Sequence, residues 1–146
     1  KGGRVIKQST YYPFRDISRY GRGVALKPVI TSPTIETCYG DAPVLSLAVV
    51  DNEEHDELTV FCVNIDRKNS HELSLDLRSF GDVSMIMWQM LTGGNPDAKN
   101  TFDNPDCVRP ETVPLQEGSC DRCLLVIPSL SWNVIRFSYK TRNDQK

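Results

Sequence analysis

The chain lacks any clustered run of basic residues. Lys and Arg number 17 against 19 Asp and Glu, spread along 146 residues, for a net charge of −2. Phosphate backbones are held by a concentrated positive field, so a nucleic-acid surface is excluded. No apolar stretch approaches the length of a membrane-spanning helix, and no membrane partner is expected. The opening KGGRVIKQST has no apolar signal core and no initiator Met, as expected for a processed protein or a piece excised from a longer one. Histidine is scarce: His55 and His71 sit at turn or strand-start positions beside acids and show no metal-ligand spacing.

Cysteine is present in an odd number: Cys38, Cys62, Cys107, Cys120 and Cys123. A domain of this length buries roughly 70% of its unfolded surface and needs no staples. Reduced thiols in a cytoplasmic setting are the expectation. Cys120 and Cys123 form a C-x-x-C, half of a zinc or redox site at most. Cys107 and His71 are the best remaining ligands for zinc, and the βαβ unit of a redox fold is missing. The pair therefore reads as incidental thiols, with no metal and no cofactor expected.

What the chain does have is strand periodicity. Residues 9–22, STYYPFRDISRYGR, first read as a helix. Ser9 or Thr10 is the candidate N-cap, Pro13 lies in the first turn, and Gly21 and Gly23 are stops. Tyr12, Ile17 and Tyr20 can share a face, with Phe14 beside it. From Gly23 the period becomes two. GVALKPVITS reads as a strand. APVLSLAVVD and ELTVFCVNID are apolar on both alternating sets, as in doubly buried strands. HELSLDLRSF puts Leu73, Leu75 and Leu77 on one side. VSMIMWQMLT puts Ile86, Trp88 and Met90 on one face. Gly93 to Pro110 is a long aperiodic loop, and PETVPLQEG is an edge strand at best. CLLVIPSLSWNVIRFSYK forms one strand or two divided at Pro128. About eight strands without intervening helices predict an all-β, antiparallel sandwich or barrel.

Chemistry is harder to find. Glu53 and Glu54 are adjacent in a polar turn, and Glu36 and Asp41 flank a loop. None forms the facing acid pair that glycoside hydrolysis requires. Trp88, Trp132, Phe61, Phe80 and Phe137 could make a sugar-stacking platform, as in an independent carbohydrate-binding β-sandwich module. Phe61 and Trp132 read rather as core, and Trp88 and Phe102 are open cases.

The ordered segments QSTYYPF, SRYGRG, VITSP, DAPVLSLAVV, LTVFCVN, NTFDNPDCVRP and LSWNVIRF resemble the C-terminal region of family 51 α-L-arabinofuranosidases, from about Gln8 to Phe137. The helix segment and the last strand are the most specific pieces. The resemblance implies a jelly-roll β-sandwich at 23–140, a remnant of the last (β/α)-barrel strand and helix at 1–22, and a disordered tail at 141–146. It implies a parent that removes terminal non-reducing α-L-arabinofuranosyl groups from arabinan- and arabinoxylan-type saccharides with retention. That parent uses two barrel glutamates, needs no cofactor, and assembles as a homo-oligomer, often a hexamer. No catalytic residue falls within this chain. Gln8 matches a family glutamine that hydrogen-bonds the arabinose, and an amide offers the donor and acceptor that neighbouring hydroxyls need. Thr10 stands where the family often has an apolar residue, and Cys120 and Cys123 lie outside the pattern. The same reading implies an apolar, newly exposed surface on one side of the helix. It also implies an open sheet edge where a short N-terminal segment of the parent would complete the sandwich.

Overall fold

The computed structural model describes residues 2–92, 95–115 and 118–140. The expected tail at 141–146 lies outside these residues, as do Gly93 and Gly94 at the start of the long loop.

Helix α1 spans Tyr11–Tyr20. Thr10 occupies the N-cap, but its side chain makes no capping bond. At the other end the Gly21 N–H donates to the Ile17 carbonyl at 2.8 Å. The inward stripe is Tyr12, Asp16 and Tyr20, at four-residue spacing, whereas Ile17 is half exposed beside Phe14. The expected apolar face including Ile17 is thus corrected. A buried acid takes its centre because Arg15 and Trp132 satisfy it.

Strand β1, Val24–Leu26, stops before Pro28, so the strand expected over GVALKPVITS is only three residues long. Proline has no N–H for a ladder. Gly23 precedes it at φ +138°, where a Cβ would sit 2.1 Å from the Asp51 carbonyl. Only glycine permits that approach and that backbone conformation. β2 (Thr34–Thr37) and β3 (Gly40–Pro43) form a small exposed hairpin that periodicity did not reveal. β4 (Leu45–Asn52) alternates, with Ser46 and Ala48 exposed, rather than being buried on both faces. It lies next to the edge strand β1, where little covers its outer face. β5 (Glu57–Asn64) is buried on both, as its composition predicted.

β6 (His71–Asp76) pairs with β9 (Arg122–Ile127), with Leu73 and Leu125 directly opposed. β7 (Asp82–Thr92) and β10 (Ser131–Lys140) form the longest ladder, and β8 (Glu111–Thr112) caps its edge. The β7–β10 register shifts so that Arg136 opposes Met87 while Phe137 opposes Met85. Ile86 is the extra residue of this bulge and stands 39% exposed, outside the core. A single inserted residue reverses the alternation, which separates Ile86 from the face of Trp88.

The large antiparallel sheet runs β1-β4-β5-β10-β7-β8, and ten strands are found among the described residues. One face packs against the β6–β9 pair through Leu58, Val60, Ile135, Phe137, Leu125 and Ile127. Burying each such side chain contributes roughly 1.5–3 kcal/mol. The opposite face receives α1 and the loop after β7, through Tyr12, Leu91, Val108 and Trp132. The architecture is therefore the expected all-β antiparallel sandwich with one short helix, its second β layer being two strands wide among the described residues.

Candidate functional site

Gln8 lies just before α1, in a segment that runs along the loop between β7 and β8. Residues 4–8, expected as the end of a barrel strand, have no ladder partner here. Gln8 itself is exposed, and its Nε2 donates to the Asn100 carbonyl at 3.2 Å. Arg4 reaches the same loop. Its guanidinium donates to the Phe102 carbonyl at 2.9 Å and lies 4.8 Å from the centre of the Phe102 ring.

The loop is aperiodic but well bonded. The Asn95 Oδ1 accepts from the Asp97 N–H, and Thr101 and Asn104 exchange two bonds. These are local turns closed by short polar side chains. Asn100 is buried within it and bonds to Lys7 and to both polar groups of the Val108 backbone. Sequence reading singled out the loop but not Asn100, because an amide that satisfies a distant backbone has no periodic signal. Between this loop, the start of α1 and the ends of β5 and β10 lies a cavity of about 530 Å³, with Leu91, Val108 and Trp132 in its wall.

The helix is fastened to the sheet by polar bonds through an apolar layer. The Asp16 carboxylate accepts from Arg15 at 2.6 Å and from the Trp132 indole N–H at 3.2 Å. Trp132 stacks on Phe61, with ring centres 5.6 Å apart. At the far end of the helix, the Arg136 guanidinium lies 4.4 Å from the Tyr20 ring centre and pairs with Glu57. The outward side of α1 carries Tyr11, Phe14 and Ile17, with Phe14 77% exposed.

On the other side of the large sheet, β6 has only β9 as a partner among the described residues. A groove of about 830 Å³ lies beside it, floored by Leu47, Val49, Leu58 and Val60 and bounded by Leu73 and Leu75.

The candidate acids do not assemble a hydrolytic pair. Glu36 and Asp41 face each other across the exposed β2–β3 hairpin. A hollow of about 390 Å³ gathers Asp51, Glu53 and Asp56. Asp51 is engaged there by the Tyr139 hydroxyl at 2.8 Å, and burial, with that bond second, pushes the phenol up to about 12. Glu53 and Asp56 hang exposed from one turn, where water cannot be kept from them as a glycosidase acid requires.

Each histidine lies against a nearby polar side chain: His55 Nδ1 is 3.2 Å from the side-chain Oδ1 of Asn52, and His71 Nε2 is 2.9 Å from Asp66 Oδ2. The bond with His71, then those from the Lys68 and Asn69 amides, hold the Asp66 carboxyl well below its usual range. All five thiols are free. Burial pushes the Cys62 and Cys123 thiols up to about 12, the neighbouring Cys120 adding to the shift at Cys123. Among the described residues, no three His, Cys, Asp or Glu side chains converge as a metal would need.

The aromatics named as a sugar platform are dispersed. Phe137 is fully buried, Trp88 packs on the core and donates to Asn133, and Phe80 packs against Tyr139. Phe102 is half exposed beneath Arg4.

Against known proteins, the model of the α-L-arabinofuranosidase C-terminal domain matches residues 1–131. An intracellular exo-α-(1→5)-L-arabinofuranosidase of Halalkalibacterium halodurans is 37% identical over 96% of this chain and 28% of its own length. The protein of the same description from Bifidobacterium longum is 30% identical over 92% of this chain and 25% of its own. The chain thus spans about a quarter of the length of these relatives. The solved structure of a family 51 α-L-arabinofuranosidase from Bifidobacterium longum superposes with a TM-score of 0.82 at 31% identity, over 92% of this chain and 27% of that one.

Proposed function

The chain belongs to the α-L-arabinofuranosidase C-terminal domain family, and from that membership we propose that it braces the (β/α)-barrel of a retaining α-L-arabinofuranosidase and supplies that barrel with one sugar-binding side chain, Gln8. The observation that carries this reading is the pairing of a match over nearly the whole chain with coverage of only a quarter of each relative. An accessory domain gives that pattern. The reacting glutamates then lie in the remainder, on strands whose C-terminal ends form the site of such barrels.

Three features support the division of labour. The outward face of α1 is apolar at Tyr11, Phe14 and Ile17, as the inner side of a last barrel helix would be. The groove beside β6 is open to a further segment of the parent chain. Gln8 is exposed and stands two residues before the N-cap of α1, as a residue at the end of a last barrel strand would.

On this reading residues 1–22 complete the barrel and 23–140 form the sandwich. The substrates are terminal α-L-arabinofuranosyl groups of arabinan- or arabinoxylan-type saccharides. The parent is intracellular, like the relatives that carry that word in their description. It is a homo-oligomer, and the exposed Leu124 and Val126 on β9 are an apolar surface available for assembly. The full-length enzyme tests the proposal. Proton NMR of its action on 4-nitrophenyl α-L-arabinofuranoside should show first-formed arabinose of unchanged anomeric configuration. Inversion, or no hydrolysis by the full-length chain, contradicts it.

A further inference from the structure

Asn100 is 3% exposed in a loop whose other residues from 95 to 107 are mostly exposed. Its Nδ2 donates to the Lys7 carbonyl at 2.7 Å and to the Val108 carbonyl at 2.8 Å. Its Oδ1 accepts from the Val108 N–H at 2.7 Å. Both kinds of group on the amide are therefore used, and a buried amide so satisfied holds its partners tightly. One of those partners is the peptide immediately before Gln8. The backbone carbonyl of Asn100 also accepts from Gln8 Nε2 at 3.2 Å.

We infer that Asn100 is a positioning residue for Gln8, so that the β-sandwich loop sets the orientation of a sugar-binding amide. The inference rests on the reading of Gln8 given under Proposed function. A primary amide can turn over and exchange its oxygen for its nitrogen. With one N–H fixed on the Asn100 carbonyl, the turned-over form would set Oε1 against that carbonyl oxygen, two acceptors without a proton between them. The clamp thus leaves Oε1 and the second N–H presented outward in one arrangement, an acceptor beside a donor. Two neighbouring hydroxyls of a furanose match that pair. Without the clamp both orientations are populated and binding loses affinity to the unproductive one. The Arg4 bond to Phe102 adds a second attachment of the same segment to the same loop.

A double-mutant cycle in the full-length enzyme, read as kcat/KM on 4-nitrophenyl α-L-arabinofuranoside, tests this. Asn100→Ala keeps the backbone carbonyl but releases the Lys7 and Val108 backbones, so the carbonyl and Gln8 shift relative to each other, and a displacement of about 1 Å is expected to lower kcat/KM roughly 10- to 100-fold. In a Gln8→Ala background the same change is expected to have almost no further effect, because the residue it positions is gone. General destabilisation would act equally in both backgrounds, so a full additional loss in the Gln8→Ala background overturns the inference. If Gln8→Ala alone leaves kcat/KM unchanged, the sugar contact of Gln8 fails and the positioning role fails with it. If Asn100→Ala does not fold, Asn100→Ser, which can keep one of the three bonds, is carried through the same cycle. A smaller loss with the same non-additivity is expected, and additivity again overturns the inference.

Discussion

The indole N–H of Trp132 donates to the carboxylate of Asp16 at 3.2 Å, joining the last strand to helix α1. Asp16 is 1% exposed, and among the described residues its carboxylate is held by Trp132 and Arg15. Replacing Asp16 by Ala leaves the Trp132 indole N–H without its acceptor and Arg15 with the long 3.4 Å contact to Gln89, and should cost about 2–3 kcal/mol. Asp16→Asn keeps an oxygen for the indole and should cost clearly less. Urea unfolding of the three proteins checks the order. A loss below about 0.5 kcal/mol for Asp16→Ala, the range of an ordinary surface change, would contradict the buried role.

Tyr139 gives a pH dependence with a defined sign. Burial, and then the bond to Asp51, raise its pKa from 10.0 to about 12. Below the lower value both folded and unfolded chains keep the phenol proton, and its stabilisation is complete. Between the two values the unfolded chain ionises first, so stability falls as the pH rises. The urea midpoint should therefore drop between about pH 10 and about pH 12, and Tyr139→Phe should flatten part of that drop. Identical slopes in the two proteins would refute the coupling.

The cysteines should divide by burial. Cys38 and Cys107 are exposed, while Cys62 and Cys123 are buried with thiols raised to about 12. Since the thiolate is the reactive form, iodoacetamide at mild alkalinity should modify Cys38 and Cys107 first. Cys62 and Cys123 should react only once the chain unfolds. Peptide mass spectrometry over a time course reads this directly, and early labelling of Cys62 would show the core to be open.

Much of this architecture is legible in the sequence, and the gaps have physical causes. The double apolar run of β5, the alternation of Leu73, Leu75 and Leu77, and the break at Pro128 all correspond to observed elements. The β2–β3 hairpin is missing from the reading because its residues are mostly exposed and carry no hydrophobic alternation. Ile86 was misplaced because a bulge resets the two-residue period, and no local residue announces it. Asp16 drew no notice in the sequence because its partner Trp132 is 116 residues away. Of the candidate site, Gln8 came from family resemblance. Asn100 emerged only when folding brought the loop against residues 4–8.

The exposed side of α1 carries its own prediction. Phe14 and Ile17 contact solvent in this chain, and the groove beside β6 adds further apolar surface. The isolated chain should bind a hydrophobic dye and associate as its concentration rises. The double substitution Phe14→Glu, Ile17→Glu should weaken both effects while changing stability by less than about 1 kcal/mol. Sedimentation velocity supplies the readout. A monomer at every concentration, with no dye binding, would count against a covered face in the parent.

Hydrolysis of 4-nitrophenyl α-L-arabinofuranoside by the purified 146-residue chain, compared at equal molarity with its full-length parent, is the most direct test of the division between scaffold and chemistry. The account predicts release of nitrophenol by the parent and none above background by the chain alone. Turnover by the chain, abolished by neutralising Glu53 or Asp56, would place reacting carboxylates inside the sandwich and contradict it.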